Sequence, residues 1–115
     1  MRDWVALRER YERSELPIRL GGLAANLARI CSFSDHPAHS KVVEDIVDET
    51  KFLIEWVAPN VSLDVQAALV ELQVQLARWQ RKWPTIWHDP QQRKIVAEQS
   101  RIWSQRVLQF SGLLS

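Results

Sequence analysis

Residues 63–82 read LDVQAALVELQVQLARWQRK, and the spacing inside this stretch decides the fold. Val65, Leu69, Leu72, Leu76, Trp79 and then Trp83 recur at i, i+4 and i+7. That is the period of one helical face, and strand alternation does not fit it. Val70, Val74 and Ala77 widen the stripe on one side. The pattern predicts a helix over Leu63 to Lys82, the most buried of the molecule. Ser62 stands where an N-cap belongs, and Pro84 where a helix stops.

Moving outward, the prolines and glycines divide the rest. Upstream, Val43, Ile46, Val47, Thr50, Leu53, Ile54 and Val57 make the stripe of a helix from about Pro37 to Val57. Pro37 suits its first position and Pro59 ends it. Before it, Leu16, Leu20, Leu23, Leu27 and Ile30 share a face from Ser14, the expected N-cap, to about Ser32. The small residues Gly21, Ala24, Ala25 and Ala28 on that helix would let a neighbour approach closely. A short first helix over 3–13 carries Trp4, Leu7 and Tyr11 on one side. Downstream, Asp89-Pro90-Gln91-Gln92 is a near capping box. It follows a connector, Thr85 to His88, and opens a helix to about Ser111. Val96, Trp103, Val107 and Phe110 form its face, with Ile95 and Ile102 beside it, and Gly112 ends it.

No stretch alternates over strand length and no Asn-Gly or Asp-Gly hairpin signal occurs. The fold class read from the chain is therefore all-α. Four helices of near-equal length with short links predict an up-down antiparallel four-helix bundle over 14–112. The helix over 1–13 is an appendage, and the whole chain is one domain.

Composition removes whole classes of function. The chain has 115 residues, 46% of them hydrophobic and 25% charged, with one cysteine and a formal net charge of +1. A disulfide scaffold or zinc ribbon needs more than one cysteine. A charge so near zero gives no overall field for nucleic acid or an anionic membrane. No uncharged run approaches membrane-spanning length, and the N-terminus lacks a signal peptide's order. The expectation is a cytoplasmic protein with no membrane insertion.

Catalytic parts are missing as well. No nucleophile elbow, P-loop, dinucleotide fingerprint or HExxH occurs. Cys31 sits near a helix C-terminus, where the dipole opposes a thiolate. His36 and His39, with Glu44 and Asp45 following, read as loop and first-turn residues rather than ligands, and no Glu-x-x-His motif is present. The chain is expected not to be an enzyme, with no catalytic residue, no metal and no cofactor.

Two features remain. The first is the split charge, −4 over 35–60 and +4 over 78–94. It reads as pairing between neighbouring helices, with a dipolar surface that steers a partner as the other possibility. The second is six tryptophans. Trp79 and Trp83 continue the core stripe. Trp87, with Arg78, Arg81 and Lys82, forms an alternative binding surface over 78–87, of the kind that stacks on single-stranded nucleic acid. The nearby acidic helix and the low net charge weigh against that use. Phe52 and Trp56 lie one turn apart, off the main stripe of their helix, and need a second partner. Trp4, Leu7 and Tyr11 of the first helix could supply it, or another subunit could.

The run Gly21-Gly22-Leu23-Ala24-Ala25-Asn26-Leu27-Ala28-Arg29-Ile30, then Phe52 to Trp56, then Arg106-Val107-Leu108 and Ser111-Gly112-Leu113-Leu114, resembles small helical proteins of the kind found in cyanobacteria. The resemblance implies a soluble cytoplasmic setting and assigns no functional residue. The reading from the residues is a non-enzymatic protein acting through protein–protein contact, as a homodimer, assembly factor or adaptor. Trp4, Leu7, Tyr11, Phe52 and Trp56 are its candidate interface. A bundle that binds a small molecule beside Gly21, Gly22 and Ala25 is the alternative, and nucleic-acid binding through 78–87 comes third.

Overall fold

The computed structural model describes residues 3–112, and within them every regular element is helical. Six α-helices follow in order: α1 (Trp4–Arg13), α2 (Leu16–Phe33), α3 (Ser40–Val57), α4 (Leu63–Arg81), α5 (Trp83–His88) and α6 (Pro90–Ser111). Single 3-10 turns, Pro37–His39 and Ala58–Asn60, lead into α3 and out of it. Leu113 and Leu114, part of the cyanobacterial resemblance, lie outside the described residues.

The helix ends follow from local chemistry. Asp3 accepts the amide of Ala6 at 3.1 Å, Ser62 that of Val65 at 3.4 Å, and Asp89 that of Gln91 at 2.9 Å. Each satisfies an amide that the first turn leaves unpaired. Gly112 closes α6 at φ 74°, a left-handed conformation that glycine adopts without strain. Three boundaries differ from the sequence reading. Ser14 closes α1 instead of opening α2, and its N–H donates to Tyr11 O at 3.2 Å. Pro37 opens a 3-10 turn instead of α3, because the Nδ1 of His36 accepts the Ala38 amide and tightens the chain there. Pro84 does not end the helical path. It sits in the first turn of α5, where its missing N–H costs nothing, so the expected connector is itself a helix with Ile86 and Trp87 buried.

The tightest packing joins α2 to α6. Ala24 is buried on α2, and its carbonyl accepts a 2.8 Å bond from the buried Ser104 hydroxyl of α6. Ser100, fully buried, lies one turn earlier on α6. Small residues on both helices let the backbones come close enough for one bond to cross. On its other flank α2 packs against α3, and α3 packs against α4. Bonds from α4 to α3 and to the turn after it set the α3–α4 register: Gln66 Nε2 to Ala58 O, Gln73 Nε2 to Lys51 O and Gln80 Nε2 to Asp48 Oδ1. Residue numbers fall on α3 as they rise on α4, so the two helices are antiparallel. From α6, Trp103 reaches α4 with its Nε1 donating to Gln75 Oε1 at 2.7 Å. The chain measures 38 × 33 × 21 Å, and the short axis equals two layers of helices about 10 Å thick.

Burial does not follow the expected ranking. Leu69, Leu72, Leu76 and Trp79 of α4 are buried as the spacing predicts. Eight of the 18 residues of α3 are buried, however, against five of the 19 of α4. The helix at the centre of the core is α3, flanked by α1, α2 and α4, while α4 sits at the edge. Val70, Val74 and Ala77 do not widen the buried stripe; they face outward.

The α2–α6 contact yields a first prediction. Ala24→Leu adds bulk where the backbones approach, and should cost about 1–3 kcal/mol by forced repacking. Urea unfolding followed by circular dichroism measures this. A change below about 0.5 kcal/mol, the range of an uninvolved surface site, would show that the two helices are not in close contact there.

Candidate interaction surfaces

The aromatic residues of α1 and α3 form one cluster. Trp4 lies 4.4 Å from Phe52 between ring centroids and 6.5 Å from Trp56. Tyr11 lies 6.1 Å from Trp56, and Phe52 stands 5.8 Å from it. These spacings are those of attractive ring pairs. Leu7 of the same helix is half-buried against the core. Trp56 is only 8% exposed beneath this cover. The second partner that the Phe52–Trp56 face requires is thus present within the chain, and it is α1. No residue of α1 is itself fully buried, so α1 lies as a strap on the surface of α3. The Tyr11 hydroxyl pins its far end by donating to Arg19 O at 2.8 Å. Burial pushes the Tyr11 phenol well above its ordinary range, against a smaller downward pull from Arg19.

The second surface is the end of the molecule built by α5. Trp83 and Trp87 stack with centroids 5.2 Å apart. Trp83 Nε1 donates to Ser40 Oγ at 3.2 Å and Trp87 Nε1 to Pro37 O at 2.6 Å. Arg93 closes the corner, donating to Trp87 O at 2.6 Å. Both indoles are buried with their polar edges occupied, and Trp79 is buried too. Arg78, Arg81 and Lys82 are exposed. The structure therefore separates the bases from the rings that the sequence interleaves with them. An open groove of about 640 Å³ runs beside the stacked pair, between Pro37, Glu44 and Arg93.

Titratable groups elsewhere serve local structure. His36 takes part in its own turn, and His39 Nδ1 lies 3.2 Å from Phe33 O with its ring edge-on to Phe33. Among the described residues no three His, Cys, Asp or Glu side chains gather as a metal site. The Cys31 thiol is half-buried and pushed above its usual range, first by desolvation and then by Asp35. Lys41 pairs with Asp45 one turn along α3 at 3.0 Å. Lys51 reaches across to α4, but its Nζ meets the Gln80 amide at 2.7 Å. Across α3 and α4 the contacts described here are thus made by amides. Gly22 and Ala25 are exposed on the outside of α2, and Tyr11 comes within 3.9 Å of the space a Gly22 side chain would fill.

The third surface escaped the sequence reading. Leu63 is 82% exposed, Val70 61% and Val74 44%. Ala67 and Ala77 are exposed as well. These five residues are spaced by four, three, four and three. They line up on the side of α4 opposite Leu69, Leu72 and Leu76. The signal was present in the same stretch that fixes the fold. It was absorbed into the core stripe because periodicity reports that a face is apolar and not what covers it.

Two measurements test the aromatic cluster. Trp56→Ala should cost about 3–5 kcal/mol, as for a large ring removed from a packed site; a loss under 1 kcal/mol would mean that α1 does not cover it. The second uses the chain's single tyrosine. The folded phenol ionises above the unfolded one, so its contribution is full below pH 10 and lost as pH rises further. Phenolate absorbance should appear well above pH 10 in the folded protein and near pH 10 in denaturant. Coincident titrations would contradict the buried hydroxyl.

Compared with known proteins, the chain matches no family model, no curated protein and no solved structure, so its function is read from its own residues.

Proposed function

We propose that this chain is a non-catalytic interaction protein. In this reading α2, α3, α4 and α6 form an antiparallel four-helix bundle, α1 is strapped across α3, and the molecule works by holding another polypeptide against its surface. The observation that carries the proposal is the outer face of α4. Its inner face is already packed, yet Leu63, Ala67, Val70, Val74 and Ala77 form a continuous apolar line outside. Single exposed apolar side chains are ordinary on any protein. An aligned set along a whole helix is the pattern of a surface that another chain covers.

Other features support the same reading. The indoles that could stack on a base are occupied as core, and desolvation, with Asp35 adding to it, pushes the Cys31 thiol up, away from the thiolate. A reducing cytoplasmic setting suits a chain whose one thiol has no second cysteine to pair with. Among the described residues no helix is long and apolar enough to cross a membrane.

A native mass spectrum of the untagged protein taken from its own source tests the proposal. The expected result is the chain bound to at least one further polypeptide, a copy of itself or another protein. A bare monomer, or a monomer carrying a discrete small molecule, would overturn it.

A further inference from the structure

The outer face of α4 has a register as well as a polarity. Leu63, Ala67, Val70, Val74, Ala77 and Arg81 follow a seven-residue repeat, the spacing that lets one helix seat against another over many turns. The seam from Leu63 to Arg81 is about 27 Å long at 1.5 Å per residue. Its two flanks differ. Toward α3 stand Gln66, Gln73 and Gln80, seven residues apart; Gln73 and Gln80 bond to α3, and Gln66 to the turn at Ala58 that follows it. On the other flank stand Asp64, Glu71 and Arg78, also seven apart and all exposed. The free flank therefore runs from acid to base along the helix, and Arg81 and Lys82 extend the basic end.

We infer that the outer seam of α4 pairs antiparallel with the same seam of a second copy of this chain. The inference rests on the interaction reading above and names its partner. Charge selects the arrangement. A parallel pair would set Arg81 against Arg81 of the copy within the seam, with the remaining bases crowded around them. An antiparallel pair centred near Leu72 sets Val70 against Val74 of the copy, twice. Ala67 then faces Ala77, and their small side chains permit close approach. Leu63 packs along the aliphatic stem of the copy's Arg81. On the free flank Asp64 faces Arg78 of the copy, also twice. Such a pair closes with two-fold symmetry and leaves no seam exposed. Its one unfavourable contact is Glu71, which meets its own copy at the two-fold axis. This contact makes a second signature: Glu71→Gln should tighten an antiparallel pair, whereas a parallel pair would place Glu71 beside a glutamine.

Sedimentation equilibrium from roughly 1 µM to 1 mM, the span of weak subunit contacts, tests the inference. The native chain should pass from 13.4 kDa toward twice that mass. Val70→Glu with Val74→Glu should hold it at the monomer mass, with helicity unchanged, because both sites are exposed and Glu favours helix more than Val. Asp64→Arg should weaken association about fivefold at low salt, and adding Arg78→Asp should restore it, since the swap recreates both pairs. A native chain that stays monomeric throughout overturns the inference. If the mass spectrum nonetheless shows another protein bound, the interaction reading stands without it. A dimer that survives the double glutamate variant also overturns it, as self-association then uses another face. A charge swap that fails to restore pairing overturns the antiparallel arrangement.

Discussion

The hydroxyl of Ser104 donates to the carbonyl of Ala24, 80 residues earlier in the chain. That bond requires α2 and α6 to lie almost backbone to backbone, and much of the architecture follows from it. With α6 taking one flank of α2, α3 must take the other. The fourth long helix is then left at the edge, held by glutamines on the α3 side and by Trp103 from the α6 side. Arg106 lies over that indole, 4.3 Å from its centroid, and shields its outer face. The helix at the edge is the one that keeps an uncovered apolar face.

The same logic explains the aromatic residues. Tryptophans at the α5 end fill the volume where α4 turns into α6, and their indole N–H groups find Ser40 and Pro37. A ring buried with its donor satisfied adds area without a polar penalty. Trp56 is buried by a short amphipathic helix laid across it. In both arrangements the rings are spent on packing, and an open groove remains beside Trp83 and Trp87. The open outer face of α4 is aliphatic, linear and flanked by charge, which suits another helix better than a small molecule or a nucleic acid.

Helix positions were legible in the sequence because the 3.6-residue period, the caps at Ser62 and Asp89 and the stop at Gly112 are local signals. The aromatic cluster was legible as a need for cover, since Phe52 and Trp56 stand off the main stripe of α3. The misreadings are of two kinds. Pro84 reads as a stop because proline breaks helices, although in a first turn its missing N–H is no loss. Val70, Val74 and Ala77 read as core in the sequence because a helix with two apolar faces has one composite period. Which face is inside depends on the neighbours of α4, and those, α3 and Trp103 of α6, lie outside its own stretch of sequence.

If the outer face of α4 meets a second copy of the chain, association must register on that face and nowhere else. Backbone amide NMR shifts followed on dilution test it residue by residue. Concentration-dependent shifts are expected at Leu63, Ala67, Val70, Val74 and Ala77, with the buried face of α2 unmoved. Shifts confined to α1 or to the outside of α6, or none over the whole range, would contradict it.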